Sequence, residues 1–454
     1  IKLNMKKVLL VAAMGLGFFS TQAQSNKIEF EQYKLKNGLN VILHEDHSTP
    51  IVAVTVLYHV GSKDENPERT GFAHFFEHLL FEGSENIERG EYMKLVQSNG
   101  GILNANTSFD RTFYFEILPS NQLELGLWLE SERMLHAKID ETGVETQREV
   151  VKEEYRQRYE NTPYGSFLPT MFEKAFEKHP YQWVPIGSLD HLNAAKIDEF
   201  RDFYKKFYIP NNATLSIAGD FDKKQLKAWI NKYFAGIPKG APIERNKIVE
   251  PAKTKEIRAV VEDNVQLPAV MMGYHTPAQN SKDAYAVAMV AQILSQGNSS
   301  RMQKSIVDEQ QKALAVGAFP FPTEDPGMAL MFGITNMGVA VEDLEEAINK
   351  EVEKLQNELI SEEEFQKLKN QIENDMYSQN SKIEGIAENL ANYFVYYGDA
   401  NLINTEIERY MKVTREDIMN AAKKYFTKEN RVVLHYVPKK AETPEQPDLK
   451  EEKK

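Results

Sequence analysis

Apolar and polar residues alternate from Phe30 to Leu43 on either side of Lys36-Asn37-Gly38, which predicts a β-hairpin. Ile51 to Val60 is a run of β-branched and apolar residues, the pattern of a buried strand. Phe72 to Phe81 is apolar nearly all round and is interrupted only by His74, Glu77 and His78. A helical pattern from Arg89 to Ser98 stops at Asn99-Gly100-Gly101, and Ile102 to Ile117 reads as strand. Helices are predicted over Leu123–Ala137 and Gly143–Arg158, then an aromatic, proline-containing connection over Asn161–Pro185. Helix, strand and helix follow at Ile197–Phe207, Thr214–Ala218 and Lys223–Phe234, and Gly236 to Pro242 has the composition of a linker.

The pattern then starts again, offset by about 215 positions. Asp198-Glu199-Phe200, Lys205-Lys206-Phe207-Tyr208 and Asn212-Ala213-Thr214 correspond to Glu416-Asp417-Ile418, Lys423-Lys424-Tyr425-Phe426 and Asn430-Arg431-Val432. Tyr58-His59 and Ser62-Lys63-Asp64 correspond to Tyr274-His275 and Ser281-Lys282-Asp283. Two copies of one α+β unit are expected, at residues 27–235 and 246–440, joined by a linker at 236–245.

Composition changes this picture at both ends. Lys6-Lys7, the apolar run Val8–Phe19 and the small residues of Thr21-Gln22-Ala23 make residues 1–23 an expected signal peptide, with Met5 as a plausible start. The run is short for a membrane span. An exported, periplasmic or secreted protein without stable membrane insertion is expected. Residues 441–454, rich in Pro, Glu and Lys, read as a disordered tail. There is no cysteine, so disulfides, thiolate ligands and a lipoprotein anchor are excluded. The net charge of −13, which becomes −16 without Lys2, Lys6 and Lys7, argues against a nucleic-acid partner.

The candidate chemistry lies in His74-Phe75-Phe76-Glu77-His78. On a helix His74 and His78 fall one turn apart on one face, with Glu77 beside them. Two imidazoles aimed at one point are half of a zinc site, and a carboxylate next to them can accept a proton from an activated water. The order H-x-x-E-H is the inverted zinc-protease pattern. Two core histidines would be the alternative, but such groups inside an apolar helix are costly unless something satisfies them. Aligning Leu80–Gly83 with Leu294–Gly297 sets Ala288, Ala291 and Gln292 against His74, Glu77 and His78, so the second copy has the helix and lacks the chemistry. A third ligand is sought in Gln147–Tyr155. Val150 and Val151 place Glu154 on the apolar face and favour it over Glu153, which shares a face with Glu149.

These residues, with Asn104-Ala105-Asn106-Thr107-Ser108, Pro210-Asn211-Asn212-Ala213, Gly219-Asp220 and the duplication, make the chain resemble the pitrilysin (insulysin, or mitochondrial-processing-peptidase-like) family of zinc metallopeptidases over nearly its whole length. The resemblance implies two homologous α+β domains, each a mixed sheet flanked by helices, and half-length chains paired around a peptide-digesting chamber. It implies one zinc per chain held by His74, His78 and Glu154, Glu77 as the group that activates water, and Asn104 and Ala105 as the edge that receives substrate backbone. Two departures stand out. Gln147 occupies the place of a second family Glu, and neither the Arg nor the Tyr that holds substrate in active members occurs between Ile306 and Gly317, where Val307 and Val316 stand near the expected places. The expected function is therefore a zinc endopeptidase acting on peptides or unfolded protein. A homologous partner chain would carry the Arg/Tyr pair, as a heterodimer in preference to a homodimer. The alternative is a non-catalytic assembly or peptide-binding subunit.

Overall fold

The computed structural model describes residues 27–245 and 247–439. The expected signal peptide and tail lie outside the described residues. The first half carries strands β1 (Glu31–Lys34), β2 (Asn40–Glu45), β3 (Ile51–Tyr58), β4 (Ile102–Thr107), β5 (Thr112–Pro119) and β6 (Ala213–Gly219). Its helices are α1 (Phe72–Leu79), α2 (Glu91–Ser98), α3 (Leu123–Leu135), α4 (Glu141–Tyr155), α5 (Phe167–Ala175), α6 (Leu189–Ala194), α7 (Ile197–Phe207) and α8 (Lys223–Phe234). The second half carries β7 (Ile257–Asp263), β8 (Ala269–His275), β9 (Ala313–Phe321), β10 (Met328–Thr335) and β11 (Arg431–Pro438). Its helices are α9 (Lys282–Ser295), α10 (Val341–Asn357), α11 (Glu362–Gln379), α12 (Ile383–Tyr397), α13 (Leu402–Met411) and α14 (Arg415–Tyr425).

The first sheet runs β1-β2-β6-β3-β5-β4 and the second β7-β11-β8-β10-β9. Setting β2, β6, β3, β5 and β4 against β7, β11, β8, β10 and β9 matches every direction. β2 is parallel to β6 and β7 to β11, and the remaining neighbours are antiparallel. The fold is α+β with an internal duplication. The match extends to single hydrogen bonds. Asn212 Nδ2 donates to the carbonyls of His59 (3.2 Å) and Phe207 (2.9 Å), and Asn430 Nδ2 to those of His275 (2.8 Å) and Tyr425 (2.7 Å).

Two expectations change. Ile102–Ile117 is not one strand. Ser108 turns the chain, its N–H donating to the Arg111 carbonyl at 2.9 Å while its Oγ accepts from the amides of Asp110 and Arg111. This leaves β4 as the edge of the sheet. The connection Asn161–Pro185 contains a helix, α5, whose inward face serves the other half. Met171, Phe172 and Ala175 pack in one cluster with Met271, Met328, Leu330, Leu434 and Tyr436 of the second sheet. Reciprocally, Ile386, Ala387 and Leu390 of α12 cover Ile42, Ala53 and Ala218 of the first sheet. Successive strand residues point to opposite faces, so a sheet buried on both sides needs two covers. Each half supplies one cover for itself and one for its twin. Among the described residues no helix is long and apolar enough to cross a membrane.

Candidate metal centre

Helix α1 has only eight residues, and its position is imposed from outside. Gly71, its N-cap, sits at φ +98°, and a Cβ there would come within 2.6 Å of the Ile186 carbonyl, so only glycine fits. Gly71 has no side chain with which to cap the helix. The first amides are met instead by Glu65, whose carboxylate accepts from Gly71 N–H (2.9 Å), Ala73 N–H (2.8 Å) and Trp183 Nε1 (3.2 Å). Burial pushes the Glu65 carboxyl up to about 8, against the pull of those three donors. At the other end Tyr114 of β5 donates to the Phe76 carbonyl at 2.8 Å and Arg133 of α3 to the Leu80 carbonyl at 3.3 Å. The guanidinium at the end matches the direction of the helix dipole, and the buried Glu65 carboxyl meets the start as a hydrogen-bond acceptor. Aromatic packing fixes the outer face: Phe72 stacks on Phe200 of α7 with ring centroids 4.6 Å apart, and Phe76 stacks on Phe203 at 5.5 Å.

Arg133 belongs to a buried polar group. Its side chain, like those of Glu116 and Glu130, is 0% exposed. It bonds Glu116 (3.3 Å), Glu130 (3.1 Å) and the Tyr92 hydroxyl (2.8 Å), and lies 4.1 Å from the Tyr114 ring centroid. Burial and the neighbouring Glu130 push the Glu116 carboxyl up, against the pull of Arg133.

Helix α4 starts at Asp140, whose side chain accepts from Gly143 N–H at 2.8 Å, and runs on into a π-helical turn, Arg156–Glu160. It packs Val144 and Val151 inward, beside α1, and presents Glu154 to the two histidines. Glu154 Oε2 lies 3.4 Å from His74 Nε2 and 3.2 Å from His78 Nε2. The imidazole centroids are 4.9 Å apart. Glu153 turns outward to Arg156 and Gln157. Glu154 Oε1 faces Arg158 at 3.3 Å. Burial opposes ionisation of Glu154, but the imidazoles outweigh it and hold its carboxyl well below the usual range. Among the described residues His74, His78 and Glu154 form the one group of His and carboxylate side chains placed to share an ion, with ligand atoms all within 4.8 Å of one another. The two N···O separations, 3.4 and 3.2 Å, are close to what bonds of about 2.0–2.2 Å to a tetrahedral zinc require. His74 Nδ1 is buried without a hydrogen-bond partner, so that ring is held by packing and by Nε2 alone.

Glu77 is half-buried on the same helix, close enough to the Tyr114 and Tyr208 hydroxyls that its charge helps keep both protonated, after burial itself. Asn104 and Ala105 lie on edge strand β4, opposite Phe115 and Tyr114. Ala105 N–H is taken by Asn104 Oδ1 at 2.9 Å, so it points to the open edge and not into the ladder. Gln147 is committed to Glu82, which Arg89 also engages. Val307 lies in a π-helical turn and Val316 on edge strand β9. Arg301 is held by Glu364 in a two-point pair of 2.8 and 2.7 Å. Sequence reasoning did not find Glu65, Tyr114 or Arg133. The one signal for Arg133 is charge at Glu130 and Arg133 on the face of α3 that also carries apolar residues.

Two family models match the chain: "Insulinase (Peptidase family M16)" over residues 40–182 and "Peptidase M16 inactive domain" over residues 194–372. The zinc protease PqqE of Helicobacter pylori is 32% identical over 93% of this chain and 95% of its own. The beta subunit of the mitochondrial-processing peptidase of Saccharomyces cerevisiae is 23% identical over 85% and 86%. The crystal structure of a protease from Helicobacter pylori superposes with a TM-score of 0.87 and 30% identity, over 90% of this chain and 100% of that one. The periplasmic protease PqqL of Escherichia coli shares the fold (TM-score 0.74, 19% identity), but 90% of this chain accounts for only 47% of that one. The chain belongs to the insulinase family of peptidases, the family that its motifs and duplication resemble.

Proposed function

Proceeding from that membership, we propose that the chain is the zinc-bearing subunit of an exported endopeptidase. The observation that carries the reading is the convergence of His74, His78 and Glu154 from α1 and α4, with Glu77 one helical position from His78. His74, His78 and Glu154 would hold one zinc. Bound zinc supplies a Lewis acid that acidifies water and polarises the scissile carbonyl. Glu77 accepts the proton of the attacking water and returns it to the leaving amine. Strand β4 receives the substrate as an added strand, Ala105 exchanging its Asn104 contact for a substrate carbonyl.

The absence of the Arg/Tyr pair supports a two-chain enzyme. Val307 and Val316 offer no charge or hydroxyl, and Arg301 is spent on Glu364. A missing donor to the developing oxyanion costs about 2.7–4 kcal/mol, so a homologous partner supplies it. That a longer relative contains twice the span of this chain is in keeping with two such units per enzyme. Native co-purification with metal analysis tests the whole reading. One zinc per chain and a homologous partner are expected, and full peptidase activity of the isolated chain would sink the two-chain arrangement. The second reading is a non-catalytic assembly or peptide-binding subunit, favoured by the match of residues 194–372 to a model named for an inactive domain. Lack of stoichiometric zinc in the purified protein would decide for it.

A further inference from the structure

Four consecutive residues ahead of α1 each hold a different part of the molecule. The Ser62 carbonyl accepts from Trp183 Nε1 at 3.0 Å. Lys63, with its side chain 10% exposed, reaches Asp110 (2.8 Å) in the first half and Glu324 and Asp325 (3.4 Å) in the β9–β10 turn of the second. Asp64 pairs with Arg245 of the linker at 2.7 Å. Glu65, 6% exposed, caps α1. The β9–β10 turn is itself locked in place. Glu324 N–H donates to Asp110 Oδ2 (2.9 Å), Asp325 N–H to the Tyr181 hydroxyl (3.1 Å), and the two carboxylates meet His59 (2.7 Å) and His179 (3.4 Å).

The duplication isolates what is special here. In the second copy Ser281-Lys282-Asp283 leads straight into α9. Asp283 accepts from Lys424 and the Tyr425 hydroxyl, both at 2.7 Å, and Ala284 stands where Glu65 would be. The triple Ser-Lys-Asp is thus common to both copies, whereas the buried carboxylate after it occurs only in the copy with the histidines. Helix α1 is too short to hold its own orientation. A side-chain nitrogen lies about 6 Å from the helix axis, so a twist of about 10° moves it about 1 Å, more than a metal centre tolerates. Ala73, whose amide Glu65 holds, is the residue before His74.

We propose that Glu65 is a positioning residue for the metal centre, fixing the start of the ligand helix, and that the second half keeps it there through Lys63 and the Glu324–Asp325 turn. This gives the half without metal chemistry a part in forming the site, and it rests on the reading of His74, His78 and Glu154 as zinc ligands.

The test uses the full chain. Zinc dissociation constants are measured by chelator competition, and hydrogen exchange is followed over residues 70–80 in metal-free protein. Glu65→Gln is expected to weaken zinc by roughly ten- to hundred-fold, the range seen when groups that orient ligands are changed, and to speed exchange at 71–76. Glu65→Asp should recover part of both. The double change Glu324→Gln with Asp325→Asn, more than 250 positions from Glu65 in sequence, should move both readouts the same way by a smaller factor. Its turn lies at the surface, so it keeps the idea testable if Glu65→Gln does not fold. Wild-type zinc affinity and wild-type exchange at 70–80 in a folded variant, even with a lower melting temperature, overturn the proposal. A wild-type chain that takes up no zinc overturns the zinc reading instead, and the metal-free exchange measurement then still decides the clamp.

Discussion

Helices α1 and α9 occupy equivalent places in the two halves, and they are built differently. Helix α9 is fourteen residues long, with Ala288 and Ala291 buried and Gln292 half-buried. It starts regularly, with Asp283 held by Lys424 and Tyr425, and rests otherwise on its own apolar surface. Helix α1 has eight residues, a left-handed glycine before it, and buried polar groups from other segments at both ends. An apolar helix that must present two imidazoles and a carboxylate cannot use that face for packing, so its stability and orientation come from neighbours. The difference between the halves is therefore more than three substitutions. It includes Glu65, Tyr114 and Arg133.

The largest effect should come from making α1 resemble α9 at one position. Glu77→Ala, matching Ala291, should lower peptide turnover by about 10²–10⁴-fold while zinc content stays at one per chain. Retained turnover in a steady-state assay would remove Glu77 from the chemistry. Next is metal removal. A chelator should take away the stabilisation given by bound zinc, about 2.7 kcal/mol when free zinc stands at a hundred times its dissociation constant. A His78→Gln variant, matching Gln292, should show no zinc-dependent shift in melting temperature.

The reciprocal covers give a prediction of similar size in a place remote from the metal. Leu390→Ala in α12 should cost about 2–5 kcal/mol, and Phe172→Ala in α5 about 3–5 kcal/mol, since both side chains are fully buried. Each should loosen the sheet of the opposite half, and hydrogen exchange resolved by peptide would show it. Loosening confined to the half that carries the mutation would mean that the covers are not shared.

The smallest expected effect is acid sensitivity at the contact between the halves. Burial works against ionisation of Glu324, but His59 and Lys63 hold its carboxyl down at about 2; the His179 hydrogen bond, with Lys63, does the same for Asp325, also to about 2. Both carboxyls bind protons less readily folded than unfolded. Their contribution is fully present above the unfolded values of about 4 and is lost as pH falls toward about 2. Exchange over residues 322–327 should quicken across that window, and Glu324→Gln with Asp325→Asn should flatten the response.

Much of the site was legible because its signals are local. His74, Glu77 and His78 share one helix, and buried Val151 of α4 turned Glu154 and not Glu153 toward the core side, where the structure has it, although Val150, expected on the same face, is 45% exposed. The hairpin break at Ser108 was missed although Ser108 and Asp110 are turn-forming residues, because Ser108 shows which of the polar positions turns the chain only through its own hydrogen bonds. Helix α5 was missed because its aromatic content reads equally as an ordered loop until the sheet that it covers is known.

What the sequence by itself determined was periodicity, the duplication and the identity of the groups able to bind a metal, since each depends on spacing along the chain. What only the tertiary structure decided was which half covers which sheet, which buried polar groups meet the ends of α1, and how Lys63 ties the half that carries the histidines to its twin. Those contacts join residues 50 to 350 positions apart. Their partners are chosen by the packing of whole elements, and no local pattern of side chains records that choice.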